Sequence, residues 1–270
     1  MENENTQESN VNSTINAVAG LVKEIPIYQD TIQPAAKEVG KSLHTVAKTI
    51  NIALAPIKVL VWGYEKIEEF ITKRVSEKLE NIPKENIVTP DPKIAVPAFE
   101  ALRYTGHDEN LRELYANLIA NSMDKETIRN SHPGFVEILK NISSDEALLL
   151  KAFINDDYLP LIDVKKVAPD NGHNLLMINF SRFQTGLNLQ NNDLVPSYLD
   201  NLVRLGLLEI PSGSYLTQEN IYESLEKDLQ IENLKNTFQN SAENKIQFTR
   251  KYVRKTTFGN QFINSVVKDK

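Results

Sequence analysis

The stretch "NIALAPIKVLVWGYEKI", Asn51 to Ile67, decides how the N-terminal half of this chain is read. It carries the only tryptophan, Trp62, and a proline, Pro56, stands in its middle. Between Thr49 and Tyr64 the single charged side chain is Lys58, and as a helix this run would extend ~24 Å at about 1.5 Å per residue. A membrane span needs ~20 apolar residues to cross about 30 Å of hydrocarbon, so the run is too short. A buried core helix is the favoured reading, because helical apolar stripes bury within their own fold. The alternative is a hinge that offers an apolar face to a partner or to the inner-membrane surface, a place suited to Trp62 and Tyr64. That face would comprise Ile50, Leu54, Ile57, Val61, Trp62 and Tyr64.

Outward from this stretch the same stripe continues in steps of three and four, from Ile32 through Val39, Val46 and Ile50 to Ile67, Ile71, Val75 and Leu79. A period this close to 3.5 predicts helices packed lengthwise on partners. Pro56 deletes a backbone donor and clashes with the carbonyl four residues earlier, so a kink near Ala55 is expected. Residues 11–80 thus read as an amphipathic helical region with an opening helix from Val11 to Lys23. The acidic, polar 1–10 read as a disordered tail and not as a secretion signal.

Four prolines in "NIPKENIVTPDPKIAVP" predict an extended connector over 81–97 and the best domain boundary. Residues 98–142 follow as a helical middle region, with Asp108 placed to cap a helix whose stripe is Leu111, Leu114, Tyr115, Leu118 and Ile119. Ser143 and Glu146 have capping-box spacing. From 143 to 270 the order is helix, the strand-like "YLPLIDVKKV", an ambiguous stretch to Leu189, the helix "DLVPSYLDNLVRLG", the apolar "LLEI", a polar helical insertion at about 218–241, then "KIQFTRKYVRKTTFG" and a last helix. This order resembles a winged helix-turn-helix. The expected fold class is mainly α, with an α+β winged-helix-like C-terminal domain.

With 30 basic against 36 acidic side chains the formal charge is -6, so any nucleic-acid surface must be local. No cysteine is present, which removes thiolate chemistry and fits a cytoplasmic protein. No phosphate loop, nucleophile elbow or zinc signature occurs, so neither a catalytic residue, a metal, a cofactor nor a small-molecule substrate is predicted. His107 beside Asp108 and Glu109, with Glu113 one turn on, is the one cluster that could serve an enzyme; helix capping is its plainer use. Lys245, Arg250, Lys251, Arg254 and Lys255 form a basic strand interleaved with Phe248 and Tyr252, able to follow phosphates or to meet a protein. The helix before it offers Asn201 and Arg204 as base readers beside the repelling Asp193 and Asp200.

The segments "DTIQPAAKEVGKSLHTVAKTINIALAPIKVLVWGYEKIEEFI", "PAFEALRYTGHDENLRELYANLIANSMD", "HPGFVEILKNISSDEALLL" and "LVPSYLDNLVRLGLLEI" together resemble the bacterial abortive-infection alpha family over roughly Val18 to Val267. The resemblance implies a role in defence against phages by sacrificing or arresting the infected cell, and it brings no catalytic residue to place here. The expected function is therefore a non-enzymatic defence protein whose helical region acts on a protein partner, on a second copy or on the inner membrane. The alternatives are a nucleic-acid-binding regulator using the strand 245–255, and an enzyme with a site near His107.

Overall fold

The structure is a computed structural model that describes residues 61–170, 172–238 and 245–270. The tail 1–10, the helix expected from Val11 to Lys23, the kink at Pro56 and the residues Ile50, Leu54 and Ile57 lie outside the described residues. The fold is α+β, not mainly α: nine α-helices and one four-stranded antiparallel sheet stand among the described residues. The chain divides into two compact units, one running to Asn141 and including Asp269–Lys270, the other Ile142–Lys268.

In the first unit α1 (Tyr64–Leu79) buries Ile67, Ile71, Val75 and Leu79, the far end of the long stripe. It ends at Leu79, and Pro83 disfavours helical geometry at the residue before it, so the helix cannot run on through Ile82. Helix α2 (Pro92–Thr105) occupies part of the expected connector, so the sequence reading is corrected there. Pro92 sits at the helix start, where its missing N–H costs nothing, and Asp91 accepts a hydrogen bond from the Lys93 N–H (2.8 Å). Pro97 lies inside the helix; burial of Ile94, Ala98, Phe99 and Leu102 outweighs the backbone bond it removes. Helix α3 (Glu109–Ser122) is the hub, capped by Asp108 and buried on all sides from Leu114 onward. It packs against α1, α2 and α4 (Gly134–Leu139). The division between units falls after Asn141 and not at the Pro-rich stretch.

The second unit opens with α5 (Ser144–Leu150), whose capping box joins Ser143 and Glu146. Strand β1 (Tyr158–Val167) turns into β2 (His173–Phe180), the pairing the ambiguous stretch concealed. Helix α6 (Val195–Arg204) ends at Gly206, which takes φ 73°. Gly206 N–H donates to the Val203 carbonyl and Leu207 N–H to the Leu202 carbonyl, the paired bonds that close a helix through a left-handed residue. The chain is thereby aimed into β3 (Leu208–Glu209). Helices α7 (Glu223–Glu226) and α8 (Leu229–Phe238) precede β4 (Lys245–Lys255), and α9 (Thr257–Phe262) follows it. The sheet order is β2-β1-β4-β3. Ile162, Val164 and Phe180 form a core with Tyr222, Leu225 and Ile231 of the insertion.

Candidate functional site

The described end of the apolar face is held in the fold. Trp62 is buried, with its ring edge-on to Phe70 at 5.6 Å, and its backbone N–H donates to the Arg103 carbonyl at 2.9 Å. A Cβ on Gly106 would collide with the indole, so this glycine makes the seat. Lys66 and Arg112 lie over the ring at 4.8 and 5.9 Å, within cation–π range. Val61 and Tyr64 are half-buried.

The basic strand is largely engaged with its own unit. Arg250 forms a fork with Glu226 (2.6 and 3.1 Å), and Arg254 donates to Glu209 (2.6 Å). Lys251 donates to both oxygens of Asp163 (3.0 and 3.1 Å) and to the Asn179 side-chain oxygen (2.6 Å). Lys255 reaches Asp157 (2.9 Å) and the Phe153 carbonyl (2.8 Å). Lys245 is exposed and has no ion-pair partner among the described residues. On α6, Arg204 donates to the Asn201 side-chain oxygen (2.7 Å), and Asn201 donates to Glu146 (2.6 Å).

The His107 cluster is dispersed. Asp108 caps α3, Glu113 holds Arg74 through a fork (3.0 and 2.7 Å), and His107 is exposed. Among the described residues no group of three metal-capable side chains converges. No described helix is long and apolar enough to cross a membrane.

Two features were not legible in the sequence. Asp145 accepts the N–H groups of Gln190 and Asn191 (2.8 and 2.9 Å) and the Tyr198 hydroxyl (2.9 Å). Burial pushes its carboxyl up, but these three donors bring it below the usual carboxylate range. Burial and the same carboxylate raise the Tyr198 hydroxyl to about 12. The second feature is a cleft of about 780 Å³ along the C-terminal half of β2. Met177, Ile178 and Phe180 supply its apolar wall, and Asn179, Gln184, Asn192 and Gln230 its amides. Asn179 takes φ 52°, a left-handed turn inside a strand, and Asn is among the few residues that accept it. Lys251 holds its side-chain oxygen, and its side-chain nitrogen has no protein partner among the described residues. Arg182 is tied to Asp228 by a fork (2.5 and 2.6 Å), whereas Asp193 at the rim has no ion-pair partner among the described residues.

Comparison with protein families matches a family model described as abortive infection alpha to residues 63–266. The chain belongs to the abortive infection alpha family. Membership points to a role in abortive infection and defence. The abortive infection alpha match contains the five bases and the cleft of the second unit, and it begins just after Trp62. Among solved structures, an uncharacterized protein from the marine bacterium Alcanivorax borkumensis SK2 is similar at 20% identity, over 53% of this chain and 96% of that one, with a TM-score of 0.33. No curated protein matches.

Proposed function

We propose that this abortive infection alpha protein acts in phage defence without chemistry of its own, with its second unit serving as a protein-docking module. The observation that carries the reading is the fate of the basic strand: Arg250, Lys251, Arg254 and Lys255 are each spent on a carboxylate of the same unit. A surface built to hold phosphates keeps its cations available for them. Asp200 on α6 and Asp193 just before it are both exposed, and a nucleic-acid backbone would be repelled by them. The β1-β4-β3 order, with α6 leading directly into β3, supports a winged-helix-like description of this unit, and such modules bind proteins as well as nucleic acids.

The first unit is the scaffold in this reading. Any apolar face turned towards a partner or the inner membrane would be formed by Ile50, Leu54 and Ile57, because Trp62 is enclosed by Phe70 and Gly106. The test has two arms. Cells expressing the chain should resist phage with their membrane potential followed throughout, and the quadruple variant Arg250, Lys251, Arg254 and Lys255→Ala should be assayed for binding to mixed-sequence DNA and RNA. Protection without salt-sensitive nucleic-acid binding supports docking. Tight, salt-sensitive binding by the native protein that disappears in the quadruple variant would replace docking with nucleic-acid recognition.

A further inference from the structure

Two buried amides of the cleft have committed their oxygens but not all of their N–H groups. Asn179 is 4% exposed, and its side-chain oxygen accepts from the Lys251 ammonium. An ammonium only donates, so the oxygen is the end that faces Lys251 and the amide nitrogen is the opposite end. Asn179 lines the cleft whereas Lys251 and Asp163, behind it, do not. The nitrogen is therefore the end turned to the cleft; it is not sealed from solvent, and it has no partner among the described residues. Gln184 is 8% exposed. Its oxygen accepts the Ser181 hydroxyl (2.8 Å) and one of its N–H groups goes to the Ser181 carbonyl (3.0 Å), which leaves the second N–H to spare. Enclosed donors of this kind favour a ligand that brings acceptors, because a buried donor left unmet is costly.

We propose that this cleft binds a neutral nucleoside with an oxo-substituted base, whose edge acceptors meet the Asn179 and Gln184 N–H groups and whose ring faces meet the apolar wall. The charge of the cleft argues for a neutral ligand. Arg182 and Asp193 are the charged side chains that line it, and Arg182 is already matched by Asp228. An anion would find no uncommitted cation there and would meet the Asp193 carboxylate at the rim. The shape of the polarity argues for a flat heterocycle, which keeps its hydrogen-bonding groups in its edge and leaves its faces apolar. A free sugar carries hydroxyls around the whole ring and would press some of them on Met177 and Phe180. Ile178, 51% exposed on the same wall, is apolar surface that such a ring would cover. An oxopurine presents two adjacent acceptors, O6 and N7, whereas adenine puts an amino donor in place of the first. Ribose hydroxyls would then donate to Asp193, as they do to acidic side chains of dinucleotide-binding folds. A cleft of about 780 Å³ lies within the ~300–1,000 Å³ usual for small-ligand sites. The proposal goes beyond the docking reading and does not rest on it, because the occupant is a small molecule whose binding is measured directly.

The full chain should be titrated with inosine, adenosine and inosine monophosphate by isothermal titration calorimetry and by saturation-transfer NMR. Inosine should bind with a dissociation constant below about 1 mM. Adenosine should bind at least about tenfold more weakly, since its amino group sets donor against donor. The monophosphate should also bind more weakly than inosine at low salt, through its charge against Asp193. Asn179→Asp is the central variant. Aspartate accepts the left-handed backbone, keeps an oxygen for Lys251 and exchanges the N–H donors for an acceptor. Inosine affinity should fall at least about tenfold in it. Circular dichroism reports whether this variant is folded; if it is not, Ile178→Glu at an exposed position replaces it and should weaken inosine in the same direction by charging the apolar wall. No inosine binding up to about 5 mM overturns the proposal. So does adenosine or the monophosphate binding as tightly as inosine, or a folded variant that keeps the native affinity.

Discussion

At the scale of single residues, two glycines are fixed by what presses on them. Thr256 caps α9 by accepting the Gly259 N–H (2.8 Å), while its own N–H donates to the Leu207 carbonyl (3.0 Å) and its hydroxyl to the Gly206 carbonyl (2.6 Å). The start of α9 is thereby drawn against the turn after α6, and a Cβ on Gly259 would fall on the Leu207 carbonyl. Backbone cannot step aside as a flexible side chain can. Gly259→Ala should cost about 3 kcal/mol or more in urea unfolding, and a loss under about 1 kcal/mol would mean that the two segments are not in contact. Gly106 differs, because the nearest group to a Cβ there is the Trp62 ring, with the Leu102 carbonyl of its own turn at 2.7 Å. Gly106→Ala should cost about 1–3 kcal/mol by overpacking and shift the emission of the only tryptophan to the red as the indole meets water. Unchanged emission would mean that Trp62 is not seated there.

At the scale of elements, β4 offers a graded test of its ion pairs. The Arg250 side chain is 51% exposed, so its fork with Glu226 is screened, and Arg250→Ala should cost less than about 1 kcal/mol. Lys251 is 20% exposed, and its loss leaves the Asn179 oxygen without its donor and Asp163 with the Asn179 N–H but no countercharge. Lys251→Met should cost about 2 kcal/mol in the same denaturation experiment, and equal effects at the two positions would refute the ranking. The elements most legible in the sequence are those defined by local chemistry. Asp108, the Ser143–Glu146 capping box and the alternation of Tyr158–Val167 each declare themselves within a few residues. Strand β2 did not, because its bulges and the left-handed Asn179 break the two-residue period. Helix α2 was hidden by Pro97, a local signal overruled by burial of Ile94, Phe99 and Leu102. The Asp145 cluster draws its donors from positions 45 to 53 residues away, and the cleft gathers residues from β2, the loop after it, the start of α6 and Gln230. No short-range spacing encodes such meetings.

At the scale of the whole molecule, stability should depend on acid in a way set by a few enclosed carboxylates. Burial alone would raise Asp124, but Lys270 (2.7 Å) and the Glu126 N–H (3.0 Å) pull it below its ordinary value. Asp145 is lowered by its three donors against the same opposing burial, and Asp228 chiefly by Arg182. A carboxyl whose folded value lies below its unfolded one, near 4, binds fewer protons in the native state. Its contribution is complete above the unfolded value and disappears as pH falls through the folded one. Unfolding free energy should thus be level from neutral pH to about 5 and drop steeply below about 4. Lys270→Ala isolates one of these groups within the first unit. Without the ammonium, burial dominates and the Asp124 value rises, so the variant should lose about 2–4 kcal/mol at pH 7, where an uncompensated charge stays enclosed. At about pH 3 the carboxyl is protonated in the variant and the penalty is relieved, so native and variant stabilities should converge. Urea unfolding of both proteins at the two pH values makes the comparison. A gap as large at pH 3 as at pH 7 would show that Lys270 acts through packing and not through its charge on Asp124.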